Sequence, residues 1–234
     1  QNSKERAQGL ISAAWPSLCE LGLDAGADRT RLKFSGTLAE ALADADYIQE
    51  SAFEDLSTKQ DLFALIDEHA AAGAVIGSST SCLDMNDIAA TSQNQDRMLV
   101  AHPFNPPYLV PLVEIVAGKR TSKQALDWLV AFMKSNAKAP VVLHKYVEGF
   151  IANRFQEAIW RETLNLLDEG VATAEDLDIA LIEGPALRWP LLGQLLTYQL
   201  GGGAGGIENY IELCKESFQS QGLGRFAAPM ITDE

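Results

Sequence analysis

The sequence lacks the features that mark several classes of protein. Its three cysteines, Cys19, Cys82 and Cys214, are widely spaced and form no C-x-x-C pair. The sequence therefore indicates neither a disulfide framework nor a metal site, and we expect a reducing, cytoplasmic environment. No apolar run approaches the roughly 18 residues needed to span a bilayer. No signal-peptide pattern follows the first residue, Gln1.

Positive charge is also scarce. Asp and Glu total 32 residues against 18 Lys and Arg, which gives a net charge of −14 at pH 7. Nucleic acids and anionic membranes attract basic surfaces, so this balance argues against both as partners. Hydrophobic residues make up 47% and charged residues 21% of the 234 positions, which is typical of a globular protein of one or two domains.

Strand-like and helix-like stretches alternate in the first part of the chain. The stretches "RLKFS", "DYIQESA", "AVIGSS", "RMLVAHPF", "LVEIV" and "APVVLH" predict strands, and amphipathic stretches such as "SKQALDWLVAFMKSN" predict helices. This alternation favours an α/β fold with a mostly parallel sheet covered by helices. The pattern becomes helical after about residue 145, with a helix predicted to be capped by Thr173. We therefore predict an α/β domain over residues 1–144 and an all-α domain over residues 145–234.

A glycine cluster, "LGGGAGGIENY", contains the G-x-G-x-x-G spacing of a dinucleotide-binding loop at Gly201, Gly203 and Gly206. Such a loop follows a buried strand, opens a helix and precedes a ribose-binding acid by about 20 residues. The segment before the cluster has no β-branched run, and Glu208 is too close to be that acid. We therefore interpret the cluster as a connection between helices.

Histidine is rare, so acid–base chemistry by imidazole has few candidates. We expect His69 to be an exposed helix residue and His144 to lie in the linker between domains. In "VAHPFNPPYLVPLVEIV", one predicted strand carries His102, prolines turn the chain, and a second strand carries Glu114. A carboxylate bonded to one imidazole nitrogen makes the other nitrogen a better general base. A buried structural His–Glu pair is the alternative.

Several motifs together resemble the 3-hydroxyacyl-CoA dehydrogenase family. They are "ESAFEDLSTKQDLF", "SSTSCL", "AHPFNPPYLVPLVEIV" and "GFIANRF", in the order and spacing of that family. Finer stretches such as "GPALRWPLLGQLLTYQLGGGAGG" are most similar to its L-carnitine dehydrogenase branch, followed by the lambda-crystallin/gulonate dehydrogenase branch. The resemblance implies a Rossmann-type NAD-binding domain, then a helical domain for substrate binding and homodimerisation.

The same resemblance implies catalytic roles. His102 would take the proton of a secondary alcohol while NAD accepts the hydride, and Glu114 would orient His102. Ser81 and Asn153 would hydrogen-bond the reacting oxygen or a neighbouring carbonyl, which implies an active site in the cleft between the domains. For Ser81, a cap at a strand end is the alternative. Cys82 is expected to pack beside Ser81 without chemistry.

The cofactor implied by the resemblance is NAD. Glu54, Lys59, Asn105 and Ser81 would lie near its nicotinamide and ribose. A solvated helix start is the alternative for Glu54 and Lys59. The family also opens with a strand, a glycine-rich loop, a helix and a second strand ending in an acid, and this sequence contains none of them. We therefore expect the NAD-binding domain to be N-terminally incomplete, the helical domain to stop early, and the chain as given to bind NAD weakly.

The substrate implied is a small L-3-hydroxy acid, with L-carnitine, oxidised to 3-dehydrocarnitine, as the first choice. The region "AAWPSLCELGLDAGADRTRL" is short and holds few lysines for a CoA phosphate. An arginine fork suits the carboxylate of carnitine and aromatic faces suit its quaternary ammonium. We therefore place Arg188, Trp189 and Tyr198 at the substrate, with core packing as the alternative for Trp189.

Three other functions stay open at this point. An L-3-hydroxyacyl-CoA dehydrogenase and an L-gulonate 3-dehydrogenase would use the same residues on other substrates. A non-catalytic, crystallin-like protein would not need the set Ser81, His102, Glu114 and Asn153, and its presence argues against loss of activity.

Overall fold

The computed structural model describes residues 3–220, and side chains within residues 4–215. The chain divides into two compact units, and the boundary in the sequence lies between Glu157 and Ala158. We call them the sheet unit and the helical unit. The predicted helical domain extends to residue 234, and its last part lies outside the described residues. Among the described residues, no helix combines the length and apolar character that crossing a bilayer requires.

The sheet unit alternates strands and helices as predicted. Its strands are β1 (Tyr47–Glu50), β2 (Val75–Ser78), β3 (Met98–Pro103), β4 (Leu112–Ala117) and β5 (Ala139–Leu143). Its helices are α1 (Ser3–Leu21), α2 (Leu38–Leu42), α3 (Leu56–His69), α4 (Met85–Ile88) and α5 (Lys123–Ser135). Polar side chains cap most of these helices: Thr37, Asp55, Asp84 and Ser122 each accept a hydrogen bond from a backbone N–H of the first turn.

The five strands form one sheet in the order β1-β2-β3-β4-β5. β1, β2 and β3 are parallel, β4 is antiparallel to β3, and β5 is parallel to β4. This confirms the predicted α/β class with a mostly parallel sheet. The strand predicted at "RLKFS" is wrong: Arg29–Arg31 form a 3-10 turn and the residues after it pair with no strand of the sheet. Without a neighbouring strand, a short β-prone stretch has no partner for its backbone hydrogen bonds.

Both faces of the sheet are covered by apolar packing. Successive residues of a strand point to opposite faces, and β3 shows this clearly. Val100 packs in the cluster that includes Phe63 of α3, whereas Leu99 packs in the cluster that includes Leu129 of α5. The core therefore lies on both sides of the central strands, as expected for a layered α/β unit.

The helical part begins with α6 (Ala152–Asp168), and the boundary between the two units in the sequence falls within this helix. It continues with α7 (Ala174–Ile182), α8 (Gln194–Gly201) and α9 (Gly206–Ser220). The Thr173 side chain accepts a hydrogen bond from the N–H of Asp176, which confirms the predicted cap. These elements confirm the all-α character of the second domain.

The glycine cluster connects α8 to α9. Gly206 has φ +61°, in the left-handed region that favours glycine. A side chain at Gly202 would overlap the carbonyl oxygen of Gly206, and one at Gly201 would lie 3.1 Å from the ring of Tyr210. The glycines thus allow the two helices to approach closely, and the connection between helices is the one predicted.

Candidate active site

Polar side chains gather where β1, β2 and β3 end. Parallel strands present their carboxyl ends at one edge of a sheet, and ligands of open α/β sheets bind outside that edge. Glu50 pairs with Ser78 in the register of β1 and β2, and His102 pairs with Glu114 across β3 and β4. All four side chains lie on the sheet face that packs against α3, and all four are buried.

The His102 and Glu114 side chains meet, as their spacing predicts. Nδ1 of His102 lies 2.9 Å from Oε2 of Glu114, and both side chains are buried. An ionised carboxylate only accepts hydrogen bonds, so Nδ1 must carry the proton that it donates. The Nε2 atom of His102 is then left as a proton acceptor, which is the state that a general base requires.

The other oxygen of Glu114 binds the start of α6. Oε1 accepts hydrogen bonds from the backbone N–H groups of Ile151 at 2.8 Å and Ala152 at 3.0 Å. Burial would raise the pKa of Glu114, but the hydrogen bonds from His102, Ala152 and Ile151 lower it below its ordinary value. Glu114 is therefore ionised at neutral pH and fixed through both oxygens, so it holds His102 in one tautomer and orientation.

The turn before α6 brings those N–H groups to Glu114. Gly149 and Phe150 both have positive φ, +74° and +50°, and Phe150 is fully buried. A left-handed conformation costs a residue with a side chain roughly 1–2 kcal/mol. Phe150 offsets this cost by packing, since its ring lies 5.5 Å from the His102 ring and 6.4 Å from that of Tyr146.

Glu54 connects β1 to the loop after β2. Its Oε1 accepts hydrogen bonds from Thr80 Oγ1 at 2.5 Å, from the Ser81 backbone N–H at 2.8 Å and from Ser81 Oγ at 3.4 Å. Burial would raise the pKa of Glu54, but these hydrogen bonds, one from Cys82 and the charge of Lys59 together lower it. The cap of α3 is Asp55, not Glu54, and Glu54 instead anchors Ser81.

Lys59 lies inside the unit, not at its surface. Its Nζ is 2.9 Å from Glu50 Oε1 and 3.4 Å from Glu54 Oε2, and its side chain is 1% exposed. The alternative interpretation of Lys59, a solvated residue at the start of a helix, is therefore wrong. Cys82 lies beside Ser81, where burial and its hydrogen bond to Glu54 raise the pKa of its thiol and so disfavour the thiolate.

Two asparagines complete the predicted set in the sheet unit. Asn105 is exposed in the turn after β3, and Asn153 is half-buried in the first turn of α6, next to Ala152. The structure thus brings Ser81, Glu54 and Lys59 into one bonded cluster, and His102 and Glu114 into another that ends beside Asn153.

The predicted substrate residues lie in the helical unit. Arg188 ends a 3-10 turn, Trp189 Nε1 donates to Gln194 Oε1 at 3.2 Å, and the Tyr198 ring stacks on Tyr210 with centroids 4.5 Å apart. Desolvation and Cys214 raise the pKa of Tyr210, and the positive charge of Arg188 opposes them. The charge of Arg188 therefore acts on Tyr210, the ring that stacks on Tyr198.

The polar groups of the sheet edge suit the nicotinamide end of NAD. Glu54 and Ser81 are partly exposed, Asn105 is exposed, and together they offer acceptors and donors for ribose hydroxyls and a carboxamide. The described residues contain no glycine-rich turn between a buried strand and a helix, which is the element that holds a pyrophosphate. They also contain no group of three or more His, Cys, Asp or Glu side chains that could hold a metal ion.

Sequence reasoning missed several residues of this site. Glu50, Tyr146 and Phe150 were not predicted. Tyr146 donates a hydrogen bond to the Cys82 carbonyl at 2.6 Å and so helps to hold the loop after β2, which carries Ser81. Local sequence offered no clear signal for Glu50, because its strand β1 also carries the polar residue Gln49.

Family models match the chain in two consecutive parts. Residues 2–146 match the NAD binding domain of 3-hydroxyacyl-CoA dehydrogenase, and residues 149–231 match the C-terminal domain of the same enzyme. The gap between the two matches falls just before the turn at Gly149 and Phe150. The first match contains the motifs "ESAFEDLSTKQDLF", "SSTSCL" and "AHPFNPPYLVPLVEIV", and the second contains "GFIANRF".

Relatives named L-carnitine dehydrogenase are similar along nearly the whole chain. The protein from Streptomyces coelicolor is 44% identical over 100% of this chain and 73% of its own length. That from Nocardiopsis dassonvillei is 45% identical over 99% of this chain and 70% of its own length.

A solved structure shares the fold at lower identity. It is 5-formyl-3-hydroxy-2-methylpyridine 4-carboxylic acid 5-dehydrogenase, described as an NAD+ dependent dismutase. It is 28% identical, superposes with a TM-score of 0.82, and the match covers 91% of this chain and 68% of that chain.

Proposed function

The chain belongs to the 3-hydroxyacyl-CoA dehydrogenase family, a family of NAD-dependent oxidoreductases, and we propose that it oxidises the 3-hydroxyl of L-carnitine to give 3-dehydrocarnitine. The single observation that carries the chemistry is the contact of His102 with Glu114, which leaves Nε2 as the proton acceptor. Relatives with that activity in their names, at 44% and 45% identity, support the substrate.

The chain's own residues supply the proton transfer and the orientation. Nε2 of His102 takes the hydroxyl proton as the C–O bond gains double-bond character, and Glu114 stabilises the imidazolium that forms. Ser81 and Asn153 donate hydrogen bonds to the reacting oxygen. Glu54 and Asn105 would hold the nicotinamide ribose of NAD, and the bound cofactor would supply the acceptor for the hydride of the carbinol carbon. The products are a ketone, a protonated His102 and reduced cofactor.

The substrate ends are assigned to the helical unit. Arg188 binds the carboxylate of carnitine, and Trp189 and Tyr198 present ring faces to its quaternary ammonium. The stacked Tyr198–Tyr210 pair supports this assignment, because it offers an aromatic surface in the same unit as Arg188.

Steady-state kinetics with a panel of alcohols test the substrate. The full-length protein is assayed with NAD and with L-carnitine, L-gulonate or 3-hydroxybutyryl-CoA, and we expect the highest kcat/KM for L-carnitine. A higher value for the CoA ester or for gulonate would replace carnitine as the substrate. No turnover of any of the three would favour the crystallin-like alternative.

We also propose that two copies associate through the helical unit and that the enzyme works in the cytoplasm. Helices α7 and α8 bury no residue, and leucines such as Leu191 and Leu195 are largely exposed, which supports an apolar contact surface. The free state of Cys19, Cys82 and Cys214 supports a reducing compartment. Light scattering at micromolar concentration and fractionation of cells test these two proposals.

A further inference from the structure

Two clusters of side chains act on the same oxygen in the proposed reaction. Ser81 lies in the loop after β2 and is anchored by Glu54, whereas His102 lies near the end of β3 and is anchored by Glu114. The two anchors belong to different parts of the sheet unit. The distance between the clusters therefore depends on the groups that lie between them.

Tyr146 is bonded to the loop that carries Ser81. Its hydroxyl donates a hydrogen bond of 2.6 Å to the backbone carbonyl of Cys82, which stands 64 positions earlier in the chain. Burial and the charge of Glu148 raise the pKa of the phenol, so it keeps its proton and stays a donor at neutral pH. The loop therefore has two attachments, Glu54 at Ser81 and Tyr146 at Cys82.

Phe150 continues this contact to His102. Its ring stands edge-on to the Tyr146 ring, with centroids 6.4 Å apart and planes at 83°, and it lies 5.5 Å from the His102 ring. The Phe150 side chain is fully buried, and a closely packed interior transmits a displacement instead of absorbing it. A continuous series of contacts therefore runs from His102 through Phe150 and Tyr146 to the Ser81 loop.

The same stretch of chain also contacts the anchor of His102. The backbone N–H groups of Ile151 and Ala152 donate hydrogen bonds to Oε1 of Glu114, whose other oxygen contacts Nδ1 of the imidazole. Residues 146–152, which we call the bridging segment, therefore contact both clusters.

We propose that Tyr146 is a positioning residue, which together with Phe150 fixes the distance between Ser81 and His102 so that both reach the oxygen of one substrate. The inference rests on the proposed function, through the roles given there to Ser81 and His102. It adds to that function a residue outside the reacting groups, on the segment of chain that leads into α6.

Tyr146→Phe tests the bond to the Ser81 loop. It removes one hydroxyl and keeps the ring against Phe150, so the variant should fold. Since a misplacement of about 1 Å can cost about 100-fold in rate, and the loop keeps its bond to Glu54, we expect hydride transfer to slow by about 10-fold. The rate of NADH formation in a single turnover of the full-length protein measures this step without product release. In steady-state assays, KM for NAD and for L-carnitine should stay within about twofold of wild type.

A matched control carries the same kind of bond at the other end of β3. The Thr121 hydroxyl donates to the backbone carbonyl of Met98 at 2.6 Å, the same length as the bond of Tyr146. Thr121→Val should therefore lower thermal stability while hydride transfer stays within about twofold of wild type. An unchanged rate in Tyr146→Phe would overturn the proposal, as would an equal loss in Thr121→Val. A raised KM with an unchanged rate in Tyr146→Phe would indicate direct contact with a substrate and would also overturn it.

Phe150→Leu tests the contact with His102. Leucine keeps an apolar side chain at the buried position but removes the ring between Tyr146 and His102, so hydride transfer should again slow by about 10-fold. If both variants break one bridge, Tyr146→Phe/Phe150→Leu should lose less than the product of the two single losses. Losses that multiply would show independent effects and contradict the bridge.

Hydrogen exchange gives a readout that needs no substrate. The N–H groups of Ser81 and Leu83 are bonded to other groups of the sheet unit. Their exchange should quicken by about 3- to 10-fold in Tyr146→Phe and stay unchanged in Thr121→Val. Unchanged exchange in Tyr146→Phe would overturn the positioning role whatever the substrate is. Absence of wild-type turnover with L-carnitine, L-gulonate and 3-hydroxybutyryl-CoA would instead contradict the proposed function, and the exchange result would still decide whether Tyr146 holds the loop.

Discussion

The sheet unit and the helical unit differ in where their apolar side chains lie. In the sheet unit, Leu99, Ile115 and Leu129 have no exposed surface. In the helical unit, Leu191 and Leu195 are 85% and 75% exposed, and helices α7 and α8 bury no residue. Apolar surface removed from water contributes about 25 cal/mol per Å², so the sheet unit gains this free energy by its own folding and the described helical unit gains far less.

This difference in burial suits the two units to different roles. The sheet unit closes a core on both faces of its strands and can therefore hold charged groups such as Glu114 and Lys59 at fixed positions, as catalysis requires. The helical unit leaves apolar residues such as Leu191 and Leu195 exposed, which is where we propose that a second copy binds. We therefore expect substitutions in the core of the sheet unit and at its buried charged groups to change stability and turnover, and substitutions of the exposed leucines of the helical unit to change association.

The largest effect is expected from His102→Gln. Glutamine keeps a polar side chain of similar reach but cannot take a proton, so kcat should fall by about 10²- to 10⁴-fold. Circular dichroism and light scattering should show an unchanged fold and mass. Asn105→Ala, at an exposed position, serves as the comparison and should cost less. Turnover that survives in His102→Gln would remove His102 from the role of general base.

A core substitution tests the difference in burial directly. Leu129→Ala removes a fully buried side chain of α5 and should lower the free energy of unfolding by about 2–5 kcal/mol. Leu195→Ala removes a mostly exposed one and should change that of the isolated subunit by about 0.5 kcal/mol or less. Urea unfolding at low protein concentration measures both. Equal losses in the two variants would show that the helical unit has a core of its own.

Charged substitutions on the helical unit test association. Leu191→Asp/Leu195→Asp places two carboxylates on the exposed apolar surface, and a pair of copies joined there should separate into single subunits in light scattering. Leu10→Asp is the matched control, since Leu10 is 63% exposed on α1 of the sheet unit and should leave the mass unchanged. A mass that changes only in Leu10→Asp would assign the contact surface to the sheet unit.

The smallest effect is expected in the pH dependence of the contribution of Glu114 to stability. The pKa of Glu114 is lower in the folded state than the value of about 4.3 of an unfolded chain. Its contribution to stability is therefore complete above that unfolded value and is lost as the pH falls through the lowered, folded value. Glu114→Gln lacks this contribution, so the stability difference from wild type should be largest near pH 7 and shrink on acidification.

The control for the acid experiment is an exposed carboxyl group. Hydrogen bonds from Thr30 lower the pKa of Asp28, which lies on the surface. In urea unfolding between pH 3 and pH 7, the stability difference between Asp28→Asn and wild type should therefore also shrink on acidification. It should be smaller than the difference for Glu114→Gln. A difference for Glu114→Gln that grows on acidification would contradict the direction of the shift.

Much of the fold followed from local sequence. The alternation of strands and helices, the cap at Thr173 and the helix connection at the glycine cluster each depend on residues close together in the chain, and each is present. The His102–Glu114 contact was also within reach, because only one turn separates the two strands and an antiparallel register places the residues opposite each other. The prediction of a strand at "RLKFS" was wrong because a strand needs a neighbouring strand for its hydrogen bonds, and the local sequence does not indicate whether one is present.

Only the tertiary structure decided the environment of the charged groups. Nothing in "ESAFEDLSTKQDLF" distinguishes a solvated lysine from one sealed between Glu50 and Glu54, since the distinction depends on β2 and its Ser78 packing beside them. The N–H groups of Ile151 and Ala152 likewise reach Glu114 from 37 and 38 residues away. The sequence by itself determined which groups the protein has and which elements carry them. The packing of distant elements, through burial and hydrogen bonds, determined which of those groups are charged, fixed and able to act together.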